Sequence, residues 1–244
     1  MLSSLAVLLL GLAPAEAAES VSLRYLLAVD GEVIGHRDLK INYLPTDSGE
    51  LRLMESFTEL TFSIAGQPYT YKQRLGGLGG GNFSSAISDN GTGREVQAVR
   101  SSLGWTVTVA EGKTAEVYAL GPAAFDLTSL SLLDPAVAES LAGRSTLKVL
   151  VAETGGVMEG PLRQAADVQI KLGGQMITCD EYVWSVPEGE VRLDYGPEGH
   201  LMRYTTRVAG KVITATLDRP PPPRTYGTTM DGPLIQSSVG EETL

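Results

Sequence analysis

The stretch VSLRYLLAVDGEVIGHRDLKINY, residues 21–43, decides the fold class. Val21, Leu23, Tyr25, Leu27 and Val29 alternate with Ser22, Arg24 and Asp30, and Leu26 and Ala28 break the polar face midway. After Gly31 the alternation resumes, with Leu39, Ile41 and Tyr43 on one side and His36, Asp38, Lys40 and Asn42 on the other. A period of two leaves one face of a strand dry and the other wet, as in an antiparallel sheet covered on one side. Asp30-Gly31 supplies the turn between the two runs.

The same pattern extends to both sides. Pro45 through Glu50 carries turn residues, so the next strand, 51–64, folds back, and 69–75 follows a turn at Gly66-Gln67-Pro68. The run from Gly76 to Gly81 has the backbone entropy of a mobile loop and reads as one. Strands are expected again at 83–87, 94–99, 105–109 and 115–120. They return at 147–151, 166–172, 175–186, 191–195, 201–208 and 212–217 with tight turns between them. The alternation slips inside 175–186, where Ile177 and Cys179 share one face and Tyr182, Trp184 and Val186 the other. A bulge or burial on both faces accounts for that slip.

One segment reads as helix. Asp134 can cap it, Pro135 suits the first helical position, residues 136–142 form about two turns, and Gly143 suits the left-handed stop. Leu133, Val137 and Leu141, spaced by four, share a stripe that can pack on the sheet. The fold class expected is therefore mainly β: a long antiparallel meander, with one short helix packed on it.

Three segments are distinguished. Residues 1–17 read as a signal peptide, from the apolar run Leu5 to Ala13 and the small-residue triplet Ala15-Glu16-Ala17. The run is too short to span a bilayer as a helix, and no cysteine follows it to take a lipid anchor. Residues 18–218 are the β-sheet domain. Residues 219–244, opening on Pro220 to Pro223, read as a Pro-rich disordered tail. The expected location is the periplasm or the outside of the cell, with no transmembrane anchor. A formal net charge of −10 in 244 residues argues against a nucleic-acid partner, which needs clustered Lys and Arg.

No catalytic, cofactor-binding or metal-binding constellation is expected. The two histidines, His36 and His200, sit at a turn or on a polar strand face, and nothing in the spacing joins His200, Asp194 and a nucleophile into a triad. Gly76 to Gly81 lacks the features of a phosphate loop. The single cysteine, Cys179, reads as a small buried hydrophobe.

Three stretches resemble a bacterial family of exported or periplasmic proteins of unknown function. They are 25–37, ending in Asp30-Gly31-Glu32-Val33-Ile34-Gly35-His36-Arg37; Asp126-Leu127-Thr128-Ser129 leading into Leu133-Asp134-Pro135; and 193–201. The resemblance implies that the meander forms a strongly curved sheet or half-barrel wrapped round the helix, similar to the carriers that ferry lipoproteins across the periplasm. On that footing Leu133, Val137, Leu141, Tyr182 and Trp184 are candidates for a ligand face or helix plug. The expected partner is a lipid or other hydrophobic molecule on the concave face. The alternative is a non-catalytic envelope assembly protein working through protein partners, and a hydrolase ranks last.

Overall fold

The computed structural model describes residues 19–47 and 49–223, so the signal-peptide reading and most of the tail reading lie outside the described residues. Eight consecutive hairpin-linked strands come first. They are β1 (Glu19–Val29), β2 (Glu32–Thr46), β3 (Gly49–Ile64), β4 (Gln67–Leu78), β5 (Phe83–Asp89), β6 (Thr92–Ser101), β7 (Gly104–Glu111) and β8 (Thr114–Leu120). A short linking region follows, with β9 (Leu127–Thr128), a 3-10 turn at Ser131–Leu133 and the one α-helix among the described residues, α1 (Val137–Leu141). The chain then returns through β10 (Thr146–Leu150), β11 (Val157–Gln164), β12 (Val168–Leu172), β13 (Gln175–Val186), β14 (Gly189–Tyr195), β15 (Leu201–Val208) and β16 (Lys211–Leu217).

All sixteen strands belong to one curved, unclosed sheet in the order β8-β7-β6-β5-β4-β3-β2-β1-β16-β15-β14-β13-β11-β10-β9, with β12 paired to β13. First and last strands meet at its middle, where Tyr25 faces Leu217 and Leu27 faces Ala215. Both edges of the sheet therefore come from the middle of the chain. Pairing is antiparallel throughout except for the two-residue contact of β9 with β10.

The inner face holds the core. Tyr25, Ile41, Met54, Leu60, Val96, Val107, Leu193 and Ile213 are all 2% exposed or less. Burying each large apolar side chain is worth roughly 1.5–3 kcal/mol, so this one face supplies most of the drive to fold. Across it lies the linking region, with Leu130 and Leu141 fully buried. Two side-chain hydrogen bonds tie strands two apart in the sheet and one ties the linking region to it: Tyr25 Oη donates to the Leu201 carbonyl at 2.8 Å. Tyr195 Oη donates to the Leu132 carbonyl at 2.9 Å, and Trp184 Nε1 to the Leu147 carbonyl at 3.1 Å.

Four sequence expectations need correction. The glycine run is not a loop throughout. Gly76 and Gly77 sit inside the sheet, paired to Glu55 and Met54 on one side and to Ser84 and Phe83 on the other. A Cβ on Gly77 would lie 2.1 Å from the Asn82 carbonyl oxygen and 2.7 Å from Phe83 Cα. Glycine is needed there for close backbone approach, not for flexibility. Second, the turn expected at 45–50 shrinks, because β2 runs to Thr46 and β3 starts at Gly49.

Third, the helix is shorter than 136–142, covering Val137–Leu141. Asp134 acts just ahead of it: its Oδ1 accepts the Ala136 amide at 3.0 Å, and its carbonyl accepts the Val137 amide. Gly143 has the expected left-handed φ of 73°. Fourth, β11 was not expected, since Gly160 and Pro161 break its pattern. It pairs with β10 up to Pro161 and with β13 from Leu162 onward, so the proline marks the change of neighbour. The slip within β13 is burial on both faces: its ladders are in register, and Tyr182, Val183 and Trp184 are all buried.

Candidate functional site

The concave face is filled by the chain's own side chains, and its centre is polar. Arg37 points inward from β2, between Tyr25 of β1 and Thr58 of β3 in register. Its Nε donates to Thr58 Oγ1 at 2.7 Å and its Nη2 to Gln73 Oε1 at 3.3 Å, with the guanidinium 5.5 Å from the Tyr204 ring centroid. Gln73, 1% exposed, donates in turn to Ser85 Oγ and to a Glu153 carboxylate oxygen, both at 3.1 Å. Burial works against the Arg37 charge. The oxygens of Tyr204 and Glu153 outweigh it, and the net shift of its pKa is upward. Burial likewise pushes the phenols of Tyr25 and Tyr71 upward, keeping them neutral donors.

Glu153 belongs to the turn between β10 and β11, and that turn bridges the open seam of the sheet. Tyr118 Oη of β8 donates to the Gly155 carbonyl. Arg94 Nη1 of β6 reaches the Glu153 carbonyl at 3.4 Å. Trp105 and Phe125 stack across the same gap with centroids 4.9 Å apart. Side chains on the inner face of β6 to β8, not a strand ladder along the β8 edge, hold the seam shut.

Both prominent hollows of the surface open on the outside of the sheet. The larger, about 1330 Å³, dishes the outer face across β1 to β7. Four basic residues (Arg24, Lys40, Arg74, Arg219) and four acidic ones (Asp38, Glu55, Glu95, Asp218) line it, with Ser84, Gln97 and Phe57 between them. Arg24 and Asp38 form a two-pronged pair at 2.6 and 2.9 Å, which holds the Asp38 carboxyl below its ordinary pKa. Arg74 lies 6.0 Å over the Phe57 ring. The groove is thus charge-balanced on a chain that carries −10 overall.

The residues singled out from sequence lie in the core. Leu133 (4% exposed), Val137 (8%), Leu141 (0%), Tyr182 (4%) and Trp184 (4%) are all buried in one apolar cluster with the inner face. Leu133 belongs to the 3-10 turn, not to the helix. Arg37 and Gln73 were not singled out, because an inward-facing polar residue in a strand leaves the period-two pattern almost unchanged, and Glu153 was not, because an acidic residue in a turn is ordinary.

His200 corrects another expectation: it is 1% exposed, because the 196–199 turn packs on Pro135 so closely that a Cβ on Gly199 would fall 2.0 Å from the Pro135 carbonyl oxygen. Asp194 serves Arg203, whose Nε donates to its Oδ2 at 2.6 Å. Cys179 is buried, and burial pushes its thiol up to about 11, the opposite of an activated nucleophile. Among the described residues no group of three metal-ligating side chains converges. No helix of the described residues is long and apolar enough to cross a membrane.

No protein-family model matches the chain, and no curated protein sequence matches it. One solved structure is similar: the crystal structure of a β-barrel-like protein of the domain of unknown function DUF1849 from Brucella abortus. It superposes with a TM-score of 0.56 at 9% sequence identity, over 82% of this chain and 96% of that one. At that identity the likeness is one of fold. It agrees with the mainly β, barrel-like sheet described above.

Proposed function

We propose that this is a non-catalytic protein of the cell envelope that works by binding another polypeptide in the outer groove of β1 to β7. The observation that carries the reading is the disposition of filled and open space. The concave face expected to hold a lipid is occupied by the chain's own core and crossed by the Arg37–Gln73–Glu153 network, while the larger hollow opens outside. An acyl chain on the inner face would have to displace packed side chains and strip the remaining water from the half-buried charges of Arg37 and Glu153, which is costly. An outer groove of alternating charge suits an extended segment carrying both signs. The apolar leader at the start of the sequence supports the compartment.

A photo-cross-linking amino acid placed at Ser84 or Gln97 in the groove tests this in cells. The expected result is one discrete protein adduct from either position, absent from a probe at the outward-facing Arg163 and lost when Lys40→Glu and Arg74→Glu are added. No adduct, or the same adducts from Arg163, would count against the groove.

A second reading rests on the seam. Because side chains alone close it, a hydrophobic ligand can be admitted if the 151–156 turn swings away. Co-purified lipid that disappears when the turn is tethered to β8 by an engineered cross-link would favour this carrier reading over the groove.

A further inference from the structure

We infer that β8 pairs edge to edge with β8 of a second copy of this chain, antiparallel and centred on Val117. Among the described residues no strand lies beyond β8 on its far side. The two-residue loop at Gly112–Lys113 closes on the Glu111–Thr114 pair. A turn of that kind directs the main-chain groups of Thr114 inward to β7, so the alternation of the ladder points those of Ala115, Val117 and Ala119 at the open edge. Natural edge strands are usually guarded by charge, proline or a bulge. Here the residues aimed at the edge are small and apolar. Val117 is 65% exposed, and Ala115 and Ala119 are exposed as well.

The strand is complementary to itself. A two-fold axis at Val117 sets Val117 against its own copy, Ala115 against Ala119, and Glu116 against Tyr118, so no like charges stand opposite. The residues that then exchange main-chain hydrogen bonds are the ones whose groups already face outward, giving about six bonds across the axis. The same face continues inward without a charge, through Ala119, Thr106 and Val99, which is 41% exposed. The inference does not depend on the outer groove.

Analytical ultracentrifugation of the full chain over a range of concentrations is the test. A reversible dimer is expected, and Val117→Lys, which sets two ammonium groups opposite each other, should raise its dissociation constant about tenfold or more. Circular dichroism and melting temperature should stay unchanged, because Val117 is exposed in the monomer. Register is read separately by cysteine. Directly opposed residues in a hydrogen-bonded pair have Cα atoms about 5.5 Å apart, inside the span a disulfide bridges. Val117→Cys should therefore link to itself under mild oxidation. Ala115→Cys should not, yet should link to Ala119→Cys in a mixture. Sedimentation as a monomer throughout would overturn the inference. So would a dimer indifferent to Val117→Lys, or self-linking of Ala115→Cys as ready as that of Val117→Cys.

Discussion

Adjacent glycines in β4 make opposite demands. Gly76 has ordinary room, its nearest prospective neighbour being the Met54 carbonyl oxygen at 3.5 Å, whereas Gly77 would drive a methyl into the backbone of Asn82 and Phe83. Gly77→Ala should cost about 1–3 kcal/mol or more of stability by urea unfolding, and Gly76→Ala within about 1 kcal/mol. Asp194 makes a different demand. Burial holds its carboxyl above its ordinary pKa, with the Arg203 contact pulling the other way, and its Oδ1 has no hydrogen-bond partner among the described residues. The native state therefore holds this proton more tightly than the unfolded chain does. Its contribution is fully present below the unfolded value of about 3.9 and is lost as pH rises through the higher native value. Subtracting the pH–stability profile of Asp194→Asn from that of the wild type should reveal this falling step; a rising step would contradict the assignment. At this scale the sequence is least legible. Nothing local distinguishes Gly77 from Gly76, or marks Gln73 as the hub that Arg37, Ser85 and Glu153 share.

Among the elements, the hairpins were legible wherever period-two alternation met a glycine or asparagine turn, as at Asp30-Gly31 and Asp89-Asn90-Gly91. β11 was not, because Gly160 and Pro161 are used where the strand changes partner, a tertiary event that leaves only a breaker in the sequence. The short helix was legible from Pro135 and Gly143, though its length was not, since five residues are held by packing and not by propensity. Leu141→Ala, at a fully buried position, should accordingly cost about 2–5 kcal/mol. The seam calls for a milder probe. Tyr118→Phe removes the donor to the Gly155 carbonyl and should cost about 1 kcal/mol, with faster amide exchange confined to residues 151–156 and β8. Exchange that rises evenly across the sheet would mean that the turn is not a separate closing element.

For the whole molecule, joining β1 to β16 places both sheet edges at mid-chain, so the region between β8 and β10 plugs the concave face, and its Phe125 joins the 151–156 turn in closing the seam. The antiparallel meander was legible from patterning and its curvature through the family resemblance; whether its interior is open was not, because the same alternation suits a cavity and a packed core. The filled interior is the claim on which the groove reading stands. Native mass spectrometry of the processed protein, taken gently from its host and then incubated with that host's lipid extract, tests it most directly. The account predicts an unliganded mass before and after incubation. A stoichiometric acyl lipid that survives desolvation, and is retained by a Lys40→Glu, Arg74→Glu variant, would contradict it.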